Sequence, residues 1–214
     1  MSHTAQHRPP ARAAGPTTGA PPPSGTPVPH PEGVSEDEFR AAMARLAAGV
    51  VLVTAQEASD EDDEPPPTPG TGAHLCPGEP AGMTATSFLS VSLRPPLVLV
   101  SVRTGSRMDE VLAEQPLWAA SLLADDQRTV AGQFAMKGRL SDRLLFRHLP
   151  HTHGAATGAP LVEGALGAVE CRTEERVPAG DHHLVVGRVL ATHPASGRRR
   201  EPLAYYNGRY RTLG

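Results

Sequence analysis

Apolar residues in this chain come in short bursts rather than long helical stripes. Residues 50–54 (VVLVT), 97–103 (LVLVSVR) and 117–123 (LWAASLL) are compact runs of the kind that buried strands use. Residues 166–177, 182–192 and 203–210 are three further strand-like stretches, and 82–92 (GMTATSFLSVS) joins them. Helices are few and short. Ser35 and Glu38 form a capping box ahead of Phe39, Met43, Leu46 and Ala47 at helical spacing, and Gly49 ends that helix. Ser106 is the N-cap of a helix over 107–114, and Asp125 or Asp126 caps another reaching Met136. The proline pair at 95–96 marks a turn, and 140–160 reads as loop-rich. No long crossover helices alternate with the strands. The pattern predicts a mainly β fold, a closed or partly closed antiparallel barrel with short flanking helices.

Composition changes the picture at two places. Nine of the 23 prolines precede Gly33, in a segment almost free of large apolar side chains. Such a segment cannot bury enough area to offset the entropy of ordering it, so 1–34 reads as a disordered Pro/Gly-rich tail. It has no apolar core of the kind a secretory signal needs. Residues 56–81 are acidic and then Pro/Gly-rich, an insertion within a hairpin connection. The rest, 35–214, suits a single domain. No apolar run approaches the ~20 residues of a membrane span. Two cysteines, Cys76 and Cys171, make no disulfide framework, and a reducing cytoplasm is expected.

The net charge of −3 is unevenly spread. No Lys or Arg stands between Arg45 and Arg94, where seven acids lie, and the remainder of the chain is modestly positive. That balance suits an anionic cofactor and is too weak for nucleic acid. His148, His151 and His153 lie close together without Cys or carboxylate partners at ligand spacing, so no metal is expected. Nucleophile-elbow, Walker and dinucleotide-fold motifs are absent from the sequence. What remains are small hydroxyl and glycine residues beside strands. The run Gly82–Phe88 offers hydroxyls and backbone N–H groups to the rim of a flat heterocycle. The run Thr104-Gly105-Ser106-Arg107, at a helix start, offers donors to a phosphate. Taken singly, these are better read as turn and cap residues only.

Taken together, in order and spacing, seven blocks resemble the flavin reductase-like family, the FMN-binding split barrels that serve as reductases beside flavin-dependent monooxygenases. They are FRAAMARLAAGVVLVTA (39–55), GMTATSFLSVSLRPPLVLVSV (82–102), SR (106–107), DDQRTVAGQFA (125–135), GAPLVEGALGAVECR (158–172), GDHHLVVGRV (180–189) and PLAYYNGRY (202–210). The resemblance implies a homodimer, bound FMN or FAD, and NADH or NADPH as hydride donor. It places Thr84, Ala85, Thr86, Ser87 and Phe88 around the flavin ring and ribityl chain. Ser101, Arg103, Ser106 and Arg107 would reach the ribityl and phosphate. Phe134 borders the ring or anchors its helix in the core. Asp181 and His182 match a Gly-Asp-His element whose histidine lies near the nicotinamide, which makes His182 the catalytic candidate. Tyr210 is a further cofactor candidate, with His183 and Tyr206 weaker ones. Met108 stands where the family often has Thr, Thr86 where it often has Asn or Ser, and the first hairpin is longer than usual. The implied activity is reduction of diffusible flavin for a partner monooxygenase. Two alternatives stay open: a split-barrel enzyme that keeps its FMN and acts on an organic substrate, and a flavin-binding protein without turnover.

Overall fold

A computed structural model describes residues 33–57, 78–136, 138, 141–195 and 200–213. Contacts separate residues 1–35 from a unit beginning at Glu36, to which all the elements below belong. The expected tail, apart from Gly33 and Val34, and most of the acidic insertion lie outside the described residues.

The elements are α1 (Glu36–Met43), β1 (Ala48–Gly49), β2 (Val51–Gln56), β3 (Pro80–Ala85), β4 (Leu89–Leu93), β5 (Pro96–Arg103), α2 (Arg107–Glu114) and β6 (Leu117–Leu122). A 3-10 turn (Asp125–Gln127) then enters α3 (Arg128–Ala135) and α4 (Asp142–His148) follows. The chain closes with β7 (His151–His153), β8 (Pro160–Val162), β9 (Gly167–Ala179), β10 (His182–Pro194), β11 (Ala204–Tyr206) and β12 (Arg209–Arg211).

Seven strands form one antiparallel sheet in the order β3-β2-β6-β9-β10-β5-β4. Its two edge strands are consecutive in the chain, joined only by Thr86, Ser87 and Phe88. A flat sheet of this size would hold its edges about 29 Å apart. The step from Ala85 to Leu89 reaches at most about 14 Å. The sheet must therefore curl until its edges meet, which gives the barrel the sequence pattern predicts. Its interior holds Val53, Val100, Val102, Trp118, Cys171 and Val185, all fully buried. The one tryptophan fits because Gly187 faces it: a Cβ there would come within 2.4 Å of the indole ring. Its ring N–H donates to Thr173 Oγ1 at 3.1 Å, so the buried indole donor is met. α3 and α4 pack a second cluster against the outside, built on Leu52, Leu123, Phe134, Phe146 and Leu203.

Several local expectations need correction. Residues 140–160 contain α4 and β7 rather than loop alone. Neither Asp125 nor Asp126 caps α3, which follows a 3-10 turn and has at its N-cap position, without a side-chain cap bond, Gln127. Its side chain accepts from Ala124 N–H and donates to the Glu163 carbonyl, so one amide ties two loops to the helix start. The first helix stops at Met43, and Gly49 is already in a strand. The insertion is narrower than 56–81, because Gln56, Pro80 and Ala81 pair in the β2–β3 ladder and Glu57 N–H reaches the Glu79 carbonyl. The strand expected over 203–210 is two short strands around Asn207 and Gly208, both in the left-handed region.

Candidate functional site

β5 sets the geometry. Its inward residues Val98, Val100 and Val102 are buried, so Leu97, Leu99, Ser101 and Arg103 face outward. In the antiparallel ladder to β10, His182 lies opposite Arg103, Leu184 opposite Ser101, and Val186 opposite Leu99. Directly paired residues share a face, so His182, Arg103 and Ser101 stand together on the outside of the barrel. Ser87, in the connection that closes the barrel, accepts from Ser101 N–H and donates to Ser101 O, both at 3.2 Å. Thr104 N–H donates to Asp181 O at 3.0 Å. Residues from three distant parts of the chain thus meet: 86–88, 101–107 and 181–182.

The turn 104–106 is shaped by Gly105, whose φ of 69° favours glycine. Ser106 caps α2 as expected, accepting from Asp109 N–H at 3.3 Å, and still has its own proton to donate. Asp181 and His182 are joined by a 2.8 Å contact to His182 Nδ1 at the β9–β10 hairpin end. That bond, and then the charge of His182, hold the Asp181 carboxyl below its usual range.

The other candidates differ in what they touch. Thr84 Oγ1 donates to the Ala131 carbonyl at 2.8 Å, tying β3 to α3. Ala85 is buried in the barrel core and Phe88 packs against it, while Thr86 is exposed. Phe134 is 1 % exposed, its ring 5.0 Å from that of Phe146. A Cβ on Gly82 would come within 2.7 Å of it. Of its two readings, the core anchor describes where it sits. Tyr210 stacks edge-on against Tyr205 and packs on the outer cluster, away from the β5–β10 group. Arg107 sits 3.0 Å from Glu57 and 3.9 Å from Asp142, whose carboxylate also accepts from Gly82 N–H.

Sequence reasoning missed Asp109. Its carboxylate accepts from Gly105 N–H at 3.0 Å and contacts His183 Nδ1 at 2.9 Å and the Arg176 guanidinium. The signal was present: Ser106-x-x-Asp109 has the capping-box spacing already used for Ser35 and Glu38. Among the described residues no three His, Cys, Asp or Glu side chains converge as a metal set, and no helix is long and apolar enough to cross a membrane.

The arrangement can do specific things. Exposed Arg103 and half-exposed Arg107 supply positive charge, the turn and Ser106 supply donors, and the Ser87–Ser101 pair presents a polar edge beside an apolar sheet face. These are groups that suit a flat, partly apolar ligand with an anionic tail. Residues 43–214 match the family described as flavin reductase like domain. An NADH-dependent flavin reductase from Rhodococcus sp. is 39 % identical over 82 % of this chain and 85 % of its own. The reductase component of 4-hydroxyphenylacetate 3-monooxygenase from Thermus thermophilus is 33 % identical over 83 % of this chain and 97 % of its own. Among solved structures, the flavin reductase component of a bacterial two-component tryptophan halogenase superposes with a TM-score of 0.70 at 36 % identity, covering 84 % of this chain and 98 % of its own.

Proposed function

Because this chain belongs to the flavin reductase-like domain family, we propose that it is an NADH-dependent flavin reductase that supplies reduced FMN or FAD to a partner monooxygenase. The observation that carries the reading is the meeting of Ser87, Ser101, Arg103, Ser106, Asp181 and His182 around one end of β5. The residues fit the cofactor: donors and cations gather at the 104–107 turn, and a polar rim lies next to apolar surface. Flavin and nicotinamide together supply the hydride chemistry when bound. The chain's part is placement. Thr86, Ser87 and Ser101 line the ring edge, with Ala85 and Phe88 as the apolar support behind them. Ser106, Arg103 and Arg107 hold the tail. His182, oriented by Asp181, sits on the nicotinamide side and can donate or accept a hydrogen bond there. No acid–base pair dominates, because proximity and orientation carry such a reaction.

Turning Arg107 from Glu57 to a phosphate would exchange one partly exposed ion pair for another. Modest flavin affinity follows, which suits an enzyme that must release its product.

A homodimer is part of the same reading. Leu89, Val91 and Leu93 on β4 are 50 %, 48 % and 85 % exposed, and Leu190 on β10 is 40 % exposed. Leu89 shares its face with Leu99, in the same row as Ser101 and Arg103. Exposed apolar side chains along this edge strand suit an interface, and a second copy seated over Leu89 and Leu99 would border the flavin site. A cytoplasmic location fits both an NADH requirement and the free, buried Cys171.

The test is to follow NADH oxidation by the purified full chain with and without added FMN or FAD, and to measure its mass in solution by light scattering. Oxidation that requires added flavin, from a dimer, supports the reading. A yellow protein that oxidises NADH without added flavin would favour a tightly held cofactor, and binding without oxidation would exclude the reductase.

A further inference from the structure

Behind the 104–106 turn lies a single carboxylate that touches both halves of the site. Asp109 is 7 % exposed. One oxygen accepts from Gly105 N–H at 3.0 Å. The other takes His183 Nδ1–H at 2.9 Å and the Arg176 guanidinium, and Arg176 donates also to the Asp109 carbonyl at 3.3 Å. Gly105 belongs to the turn assigned to the flavin tail. His183 follows His182 on β10, and Arg176 lies on β9 opposite Val185. The β9–β10 hairpin end is only Gly180 and Asp181. Asp109 thus joins the turn before α2 to both strands of the hairpin that carries His182.

The charges explain how an acid can sit there. A carboxylate in the first turn of a helix is favoured by the helix dipole. Left alone it would repel an anionic tail bound at the turn. Arg176 and His183 offset it, so the turn is fixed without making its outer face anionic. Burial pushes the carboxyl up, but the Gly105 amide, His183 and Arg176 together hold it below its usual range. It stays ionised and keeps accepting.

We propose that Asp109 is a positioning residue that locks the flavin-tail turn to the hairpin end bearing His182, so that flavin and nicotinamide are held in one frame. The proposal rests on the assignment of those ligands to these two elements. Small misplacements of reacting groups cost much of the rate, and a site is held to tolerance by the hydrogen bonds behind it.

The test uses the full chain as wild type, Asp109→Ala, Asp109→Asn and His183→Ala. FMN Kd is read from fluorescence quenching without NADH, NADH KM and kcat from turnover, and backbone protection from amide hydrogen exchange. Asp109→Ala is expected to raise FMN Kd and NADH KM together, each about tenfold, and to speed exchange in residues 104–106 and 180–183 together. Asp109→Asn keeps one acceptor oxygen and should restore much of the flavin side. His183→Ala removes the β10 arm of the hairpin link and leaves the Arg176 arm on β9, so NADH KM should rise several-fold with FMN Kd within twofold. A lower Tm for Asp109→Ala with both constants unchanged, or faster exchange in only one segment, overturns the proposal. If Asp109→Ala does not fold, unchanged exchange at 180–183 in the double variant His183→Ala with Arg176→Ala, which cuts both arms, overturns it. If wild type fails to quench FMN at all, the assignment of the ligands is wrong, while the exchange pattern still decides whether the two elements are locked.

Discussion

Two buried carboxylates in this protein are built alike and hold different things. Asp109 accepts a backbone N–H, a histidine and an arginine at the start of α2. Glu170, on β9, accepts the N–H groups of Ala156 and Thr157 at 2.9 and 2.7 Å, the Thr157 hydroxyl at 2.8 Å, and His193 Nε2 at 2.7 Å. It is 1 % exposed. A Cβ on Gly154 would lie 2.3 Å from its carboxylate, so the loop is moulded onto it. Both carry a histidine partner and both are held below the usual carboxylate range despite burial. Yet none of the partners of Glu170 is a candidate site residue, whereas those of Asp109 flank Ser106 and His182. A buried carboxylate–histidine pair is therefore a general fastening in this fold. What it fastens decides whether it matters to chemistry.

The largest effect that separates the two should come from Glu170→Ala. It leaves one buried and one partly buried amide, a hydroxyl and a histidine without their acceptor and should cost about 3 kcal/mol. For a domain of this size that is a Tm fall of roughly 6–12 °C. NADH KM and FMN Kd of the folded protein should stay within twofold. Calorimetry beside steady-state kinetics checks this, and a selective rise in either constant would dissolve the contrast with Asp109.

A smaller effect is pH dependence. A carboxyl held lower in the folded chain than in the unfolded one contributes stability that is complete above its unfolded value, about 4. The contribution disappears as pH falls through the folded value. Thermal melts between pH 7 and pH 3 should therefore fall less steeply on acidification for Glu170→Gln than for wild type. Equal slopes would mean that Glu170 is not held ionised by its donors. Smallest is His193→Ala. The imidazole is 41 % exposed and three other donors to Glu170 remain, so the expected loss is about 0–1 kcal/mol. A loss near that of Glu170→Ala would make the histidine, not the backbone amides, the main fastening.

Much of this was legible in the sequence where a local rule applies. α2 begins and ends at the residues read from its cap, and β5 and β6 follow their apolar runs to within a residue. The reading failed where a local rule gave way to packing. α4 is seven residues, under two turns, too short for periodicity to announce it. Phe146 packed on Phe134, and Asp142 bonded to Gly82 N–H, give it a place. Phe134 reads from sequence equally as a ring border or a core anchor, and only the fold, which sets Gly82 against its ring, seats it in the core.

The sequence by itself determined the strands, the capped start of α2 and the small polar residues that stand next to them, because alternation, capping and turn chemistry act over a few residues. Only the tertiary structure decided which of those residues meet. Curling of the sheet brings Ser87 onto Ser101, and the β5–β10 ladder sets His182 beside Arg103. Register between strands far apart in the chain is fixed by how a whole barrel interior packs, and no short stretch of sequence carries that sum.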